Sequence, residues 1–485
     1  MGVISTFAIF VSLAVYFGLI SLLGWLSQCR KQDTQRQYFL AGRKAPWLLV
    51  AIGMVGSSLS GLTFISVPGK VGLDGMEYFQ LVLGYMVGYV LIAQVLLPLY
   101  YRLQLTSIYG YLGLRYGRHS YLVGAAYFLL SRSLGSAVRL FLAVSVLQAV
   151  LFAQLGIPFW LTATLTMGFI LSYTYRGGLS TVLYTDVLQT LVMLGAASLV
   201  FALLFGQLGS PAAWHSLLHS PLARIWVWDA TAPNYFWKHF VSGIFITLVM
   251  TGLDQDMMQK NLSIPRLGQA QRNVYLYSLL ILLANLLFLG LGVLLYTYAA
   301  QIGWRAPAAT DHFFPLLALQ QLGPLAGIAV VVGLVAAAYN SADGTLTALT
   351  TSTCVDVLRT ERLPEARGRA IRHRVHLLWA GVFLLCILGF GLLDGGGFSA
   401  IDLALRLAGY TYGPLLGLFA FGLLSRRRVR DNWVPLLCLL CPLLCLGLQL
   451  QAPTWWGYSF GFELLLINGL LTYLGLLALS VPARR

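Results

Sequence analysis

Tyr339-Asn340-Ser341-Ala342-Asp343-Gly344-Thr345 follows directly on the run 325–338, which is built almost wholly from Ala, Val, Gly, Leu and Ile. The run is apolar and long enough to enter a bilayer. An amide, a hydroxyl and a carboxylate then arrive within four residues. A charge at membrane depth costs a few kcal/mol or more, so it is kept where a partner or an ion offsets the penalty. Thr345, Thr347, Thr350, Thr351, Ser352 and Thr353 continue the helix towards Asp356 and a basic loop. Small hydroxyls are common helix-packing residues in membranes. Asp343 is not explained that way, and the cluster reads as ion-related.

The rest of the chain agrees with a membrane setting. Of 485 residues, 58% are hydrophobic and 10% charged, and mean hydropathy is +0.78. A span needs about 20 apolar residues, and such segments recur from end to end. Thirteen are expected, near 3–26, 46–68, 76–101, 120–151, 156–175, 180–206, 236–258, 273–300, 324–357, 373–393, 397–424, 433–450 and 460–480. No loop is long enough for a soluble domain. The fold class expected is an all-α polytopic membrane protein.

The net charge of +15 is a topology signal. Of 31 Lys and Arg, 24 lie in alternate loops on one side, including the three of 259–273 (Lys260, Arg266 and Arg272). The opposite loops hold Lys70, Arg224, Lys238 and Arg305, while Arg132, Arg139 and Arg406 fall inside spans. By the positive-inside bias, the N-terminus is expected outside and the C-terminus in the cytoplasm of a plasma (inner) membrane protein. Nucleic-acid binding is not expected. Residues 1–26 have no basic leader and are followed by Arg30-Lys31, which favours an uncleaved first helix over a signal peptide. The six cysteines sit in spans or at the cytoplasmic edge, and Cys438 and Cys441 have no His or carboxylate nearby, so small packing residues are expected there. All seven His sit near loops or span ends, against a haem or zinc site.

Transporters built from inverted repeats break one helix in each half near the midplane. Gly53, Gly56, Ser57, Ser58, Ser60, Gly61 and Thr63 interrupt the second span, and Thr251-Gly252-Leu253-Asp254-Gln255-Asp256 interrupts the seventh. Five spans separate them, and an odd offset inverts one half relative to the other. The organisation expected is a peripheral helix and loop (1–45), a first repeat (46–209), an external loop (210–235), a second repeat (236–424) and two peripheral helices (425–485).

Four motifs now fall in order: Tyr38-Phe39-Leu40-Ala41-Gly42-Arg43 leading through Pro46-Trp47 to Thr63-Phe64-Ile65-Ser66-Val67-Pro68-Gly69; the segment from Arg176-Gly177-Gly178 to Asp186-Val187-Leu188-Gln189; Gly252-Leu253-Asp254-Gln255-Asp256-Met257-Met258-Gln259; and Ala336-Ala337-Ala338-Tyr339-Asn340-Ser341. Together they resemble the sodium:solute symporter family over nearly the whole chain. The resemblance implies a LeuT-like inverted repeat of five plus five helices. It implies a sodium site with backbone carbonyls of Gly56, Leu59 and Ala337 and side-chain oxygens of Asn340 and Ser341. Asn340 departs from the Ser more usual in the family, and an amide oxygen still suits an alkali cation. Asp186 matches a family aspartate linked in some members to a second sodium. There the long helix supplies hydroxyls, and this chain places Asp343 at one of those positions. Two carboxylates facing one volume repel unless a cation sits between them, so a second cation or proton site is expected; the alternative pairs Asp343 with Arg132 or Arg139.

Candidate pocket residues are Ser58, Ser60, Thr63, Gln80, Asp254 and Gln255, with Tyr410 and Tyr412 able to add rings and hydroxyls. Asp254 stands where sugar transporters have an amide, which disfavours an ordinary hexose pocket. Arg132 and Arg139 lie seven apart on one helix face. A guanidinium suits a bidentate carboxylate, so either these residues bind an acidic solute or they pair with Asp186, Asp254 or Asp343. Uptake of a small polar organic solute (a sialate, another organic acid or a sugar) driven by sodium is the function implied. No enzyme activity is expected, and no cofactor beyond the coupling ion. The alternatives are a proton-coupled symporter or a solute sensor of the same fold; no output domain is expected after Arg485. The solute, the sodium stoichiometry and the oligomeric state are left open.

Overall fold

The computed structural model describes residues 6–28, 34–305, 307, 310–393, 400–458 and 460–481. Cys29, Arg30, Lys31, Arg484 and Arg485, which entered the charge and cysteine readings, lie outside the described residues.

Helices account for nearly all of the described chain: α1 Thr6–Gln28, α2 Trp47–Ser58, α3 Gly61–Asp74, α4 Tyr78–Leu91, α5 Arg118–Leu147, α6 Phe159–Leu208, α7 Phe236–Thr247, α8 Gln255–Leu262, α9 Leu267–Gln301, α10 Pro324–Ser352, α11 Glu365–Leu393, α12 Ala400–Leu424, α13 Val434–Trp456 and α14 Leu464–Ala478. In hydrocarbon every backbone N–H and C=O must be satisfied within its own segment, so helices are the form these apolar runs take. Among the described residues nine helices are long and apolar enough to cross a bilayer, or eleven if each of two bent pairs counts as one. The protein is a multi-pass membrane protein.

Thirteen spans are compatible with this. The long helix α6 covers the fifth and sixth expected spans and is divided at Gly178, whose φ of +54° and ψ of −154° are open to glycine alone without strain. Its first part (159–177) and the short apolar helix α14 occupy the remaining two expected positions.

The two expected helix breaks are present. Helices α2 and α3 meet at 57°, and Phe236–Gly252 meets α8 at 63°. They fall in the second and seventh spans, in keeping with the inverted repeat. The centre of the molecule is α10, in which every residue from Gly333 to Ser352 is buried. It starts at Pro324 in the first turn, where a missing N–H costs nothing. Helices α6 and α5 give it its most extensive packing, and α2, α3 and α8 also touch it. The polar stretch read from the sequence is thus enclosed by both broken helices and not exposed to lipid. A short antiparallel ribbon, Arg428–Val429 with Ser480–Val481, ties the loop after α12 to the end of α14.

Candidate functional site

At the first break the backbone leaves helical geometry at Leu59 (φ −86°, ψ 73°) and Ser60 (φ −69°, ψ 175°). Leu59 N–H still reaches Val55 O, but the carbonyls that follow lose their donors four residues on. Gly56 and Leu59, read as carbonyl ligands, flank this stretch. A side chain at Gly56 would collide with Thr190 Oγ1 and the Asn340 amide. Only glycine lets α2 approach α6 and α10 this closely.

Those three helices and α8 meet in a fully buried polar cluster. The Asn340 amide donates to Asp186 O (3.0 Å), and its Oδ1 accepts from Ser57 Oγ (2.9 Å). Gly56 N–H donates to Thr190 Oγ1 (3.1 Å). Lys260 Nζ lies 2.8 Å from Asp186 Oδ2 and also donates to Ser57 Oγ. Asp256 Oδ1, one helical turn before it, is 3.7 Å away. Asp343 joins from α10: Oδ2 accepts from Tyr173 Oη (2.9 Å) and Gln189 Nε2 (3.4 Å), and Oδ1 from Gly344 N (2.6 Å).

Lys260 corrects the sequence reading, which placed it among the basic residues of a cytoplasmic loop. It lies inside α8 with none of its side chain exposed. A buried ammonium is tolerated when carboxylates and hydroxyls replace its water, and here Asp186, Asp256 and Ser57 do so. Among the described residues, neither Arg132 nor Arg139 hydrogen-bonds or ion-pairs with Asp343. Arg132 holds Asp256 (2.6 Å) and lies 3.4 Å from Asp254.

The second break is organised by Asp254. Its Oδ1 caps α8, accepting from Asp256 N (3.0 Å) and Met257 N (3.3 Å), the role a short acidic side chain fills at a helix start. Its Oδ2 accepts from Tyr412 Oη (2.6 Å). Asp254 is therefore engaged on both oxygens.

Against the first break lies a cavity of about 110 Å³. Ser57, Ser58, Ser60, Thr63, Arg132 and Arg139 line it, with Tyr78, Tyr85 and Tyr89 from α4. Ser58 Oγ bonds Tyr277 Oη, which in turn meets Tyr89 Oη at 3.0 Å. Tyr78 also lines a larger vestibule of about 530 Å³, bordered by Lys70, Glu77, Asn234 and His239. Arg139 differs from Arg132. It is buried, its Nη1 reaches Ser341 Oγ at 3.5 Å, and no carboxylate bonds it among the described residues.

Three candidate pocket residues stand elsewhere: Asp254, held on both oxygens as described, does not line the cavity, and neither do Gln80 and Gln255. Gln80 is buried under the 220–235 segment, accepting from Val227 N (3.1 Å) and donating to Asn234 O (3.1 Å). Gln255 accepts from Ile108 N (3.0 Å) and donates to Thr106 O (3.0 Å). Both glutamines pin loops. The sequence reading missed Ser57, the α4 tyrosines, Asp256 and Lys260. Tyr78, Tyr85 and Tyr89, at intervals of seven and four, share a helix face that was readable; Asp256 and Lys260, at i and i+4, were readable as a pair.

The 24% identical sodium/sialic acid symporter SiaT of Proteus mirabilis covers 86% of this chain, which covers 85% of it. The sodium-dependent multivitamin transporter of Oryctolagus cuniculus is 29% identical over 85% of the chain, and sodium-coupled monocarboxylate transporter 1 of Mus musculus 28% over 81%. The chain spans 65% of the length of each of these two. Among solved structures, a substrate-bound, outward-open sodium-coupled sialic acid symporter superposes with a TM-score of 0.81 at 20% identity, covering 98% of both chains. A nucleobase-cation-symport-1 transporter, Mhp1, gives 0.55 at 13% identity over 91% of this chain and 93% of that one. The fold is theirs. The model of the sodium:solute symporter family matches residues 38–386, with both broken helices and the whole polar cluster inside the match, and the chain belongs to that family.

Proposed function

We propose that this protein couples inward sodium flow to the uptake of a small organic anion by alternating access. The observation that carries this is Arg139, a buried guanidinium on the cavity wall that no carboxylate hydrogen-bonds or ion-pairs among the described residues. An uncompensated buried charge is costly, and a solute carboxylate is the planar partner its fork fits. The tyrosines and serines around it supply hydroxyls for the rest of a polar solute. Two relatives are named for acids, a sialic acid and monocarboxylates.

Sodium is bound, in this reading, by the carbonyls of Gly56, Leu59 and Ala337 and by Asn340 Oδ1 and Ser341 Oγ. Hard oxygens of this kind suit an alkali cation. Arg139 touches Ser341, so the solute and ion sites share a residue. Binding at one then biases the other, and that linkage is reciprocal. Arg132, on the cavity wall, is tied to Asp254 and Asp256, and Tyr412 holds Asp254 from behind that pair. The vestibule at Tyr78 faces the outside of the plasma membrane, consistent with the loop charges.

The test is uptake into proteoliposomes under an inward sodium gradient, with labelled sialate, a monocarboxylate, proline and a hexose competed against each other. Uptake of an acid, lost when choline replaces sodium, is the expected result. Preference for the hexose, or indifference to sodium, would remove the proposal.

A further inference from the structure

We infer that Lys260 is a tethered cation that occupies, between Asp186 and Asp256, the place a second coupling ion would take beside Asp186, so that the protein binds a single sodium per transport cycle. The inference rests on the sodium-coupled reading above.

Three observations carry it. The Lys260 ammonium has none of its surface exposed, and its donors go to Asp186 Oδ2 (2.8 Å) and Ser57 Oγ, with Asp256 Oδ1 at 3.7 Å. An ammonium is a compact point charge with three donors, and here it meets oxygens alone, much as a bound alkali ion does. Next, α10 has no side chain where the ammonium lies: a Cβ on Gly344 would stand 2.9 Å from Lys260 Nζ and 3.0 Å from Asp256 Oδ1. Gly344 thus leaves a notch in the helix that the Lys260 head fills. Finally, both oxygens of Asp343 already accept from protein donors, Oδ2 from Tyr173 and Gln189 and Oδ1 from Gly344 N–H, so Asp343 depends less than Asp186 on a cation. A sodium ion beside Asp186 would face the fixed positive charge of Lys260 at close range.

Asp186 Oδ1, in contrast, has no hydrogen bond among the described residues. With the ammonium removed, both Asp186 oxygens and Ser57 Oγ form an oxygen-only set on two helices. Lys260→Met should therefore create an ion site where the wild-type chain has a covalent one.

The experiment is equilibrium binding of radiolabelled sodium to the purified full chain in detergent. Wild type should bind one sodium per chain with a Hill coefficient near one. Lys260→Met should bind two, with the coefficient rising above one, and Lys260→Met/Asp186→Asn should return to one. Asp186→Asn alone should keep one sodium at unchanged affinity. Should Lys260→Met not fold, the wild-type count and the double variant still decide. Two sodium ions on wild type, loss of sodium in Asp186→Asn, or a folded Lys260→Met that binds no more than wild type would overturn the inference. No sodium on wild type but one on Lys260→Met would uphold the tethered cation and remove sodium coupling; none on either removes both.

Discussion

Lys260 and Asp186, 74 residues apart in the chain, form an ion pair of 2.8 Å from which solvent is wholly excluded. Each comes from a different half of the expected repeat, so the pair joins α6 to α8 beneath the first helix break. Removing both charges from water is expensive, and their mutual attraction repays it only with good geometry and further hydrogen bonds.

Removing one partner should cost more than removing both. Without sodium, Asp186→Asn and Lys260→Met are each expected to lose about 3–5 kcal/mol, because each strands a buried charge. The double variant should recover most of that loss. Thermal unfolding in detergent, run as a double-mutant cycle, measures the coupling. Additive losses would show that the two groups do not depend on each other.

Arg139 is the residue on which solute recognition should turn. Arg139→Ala should weaken binding of an acidic solute by about 1.5–3 kcal/mol, the range for a hydrogen bond to a charged group, and so raise KM roughly 10- to 150-fold. Arg139→Lys keeps the charge but not the fork and should fall between. Concentration-dependent uptake in proteoliposomes measures the KM. A KM unchanged in both variants would show that the guanidinium does not meet the solute.

Ser341 tests the ion site from the solute side. Ser341→Ala should raise the sodium concentration for half-maximal transport several-fold, the consequence of losing one oxygen ligand worth about 1 kcal/mol. The amount of folded protein should hardly change, since Ser341 Oγ makes a single long contact of 3.5 Å with Arg139. Sodium titration of uptake, alongside gel filtration, separates the two effects.

Topology is predicted from the distribution of Lys and Arg between alternate loops. A reporter fused after Arg485 should be cytoplasmic, and one inserted at Gly209-Ser210-Pro211 external. Finding both on one side would contradict the thirteen-span arrangement.

Much of this architecture is a property of local sequence. A bilayer sets the length of an apolar run and requires its backbone to bond within itself, so helices and their breaks are written in short stretches. The Gly53–Thr63 interruption became the 57° bend, and Thr251–Asp256 the 63° bend. Asp343 was legible because a carboxylate in such a run has to be accounted for by neighbours.

Which neighbours account for it was decided in three dimensions. The buried ion pair of Lys260 depends on Asp186 arriving from another helix and on Gly344 offering no side chain, relations that no window of sequence contains. In the chain, Lys260 follows Asp254, Gln255 and Asp256 and has the composition of a loop. Gln80 and Gln255 have the chemistry of pocket residues, yet hydrogen bonds to loop backbone take them out of the cavity. Arg132 and Arg139 share one helix face, but only the fold gives the first two aspartates and leaves the second facing the cavity. Charge at membrane depth announces itself in sequence through its cost; how that cost is met depends on which distant groups the packing brings within a few ångströms.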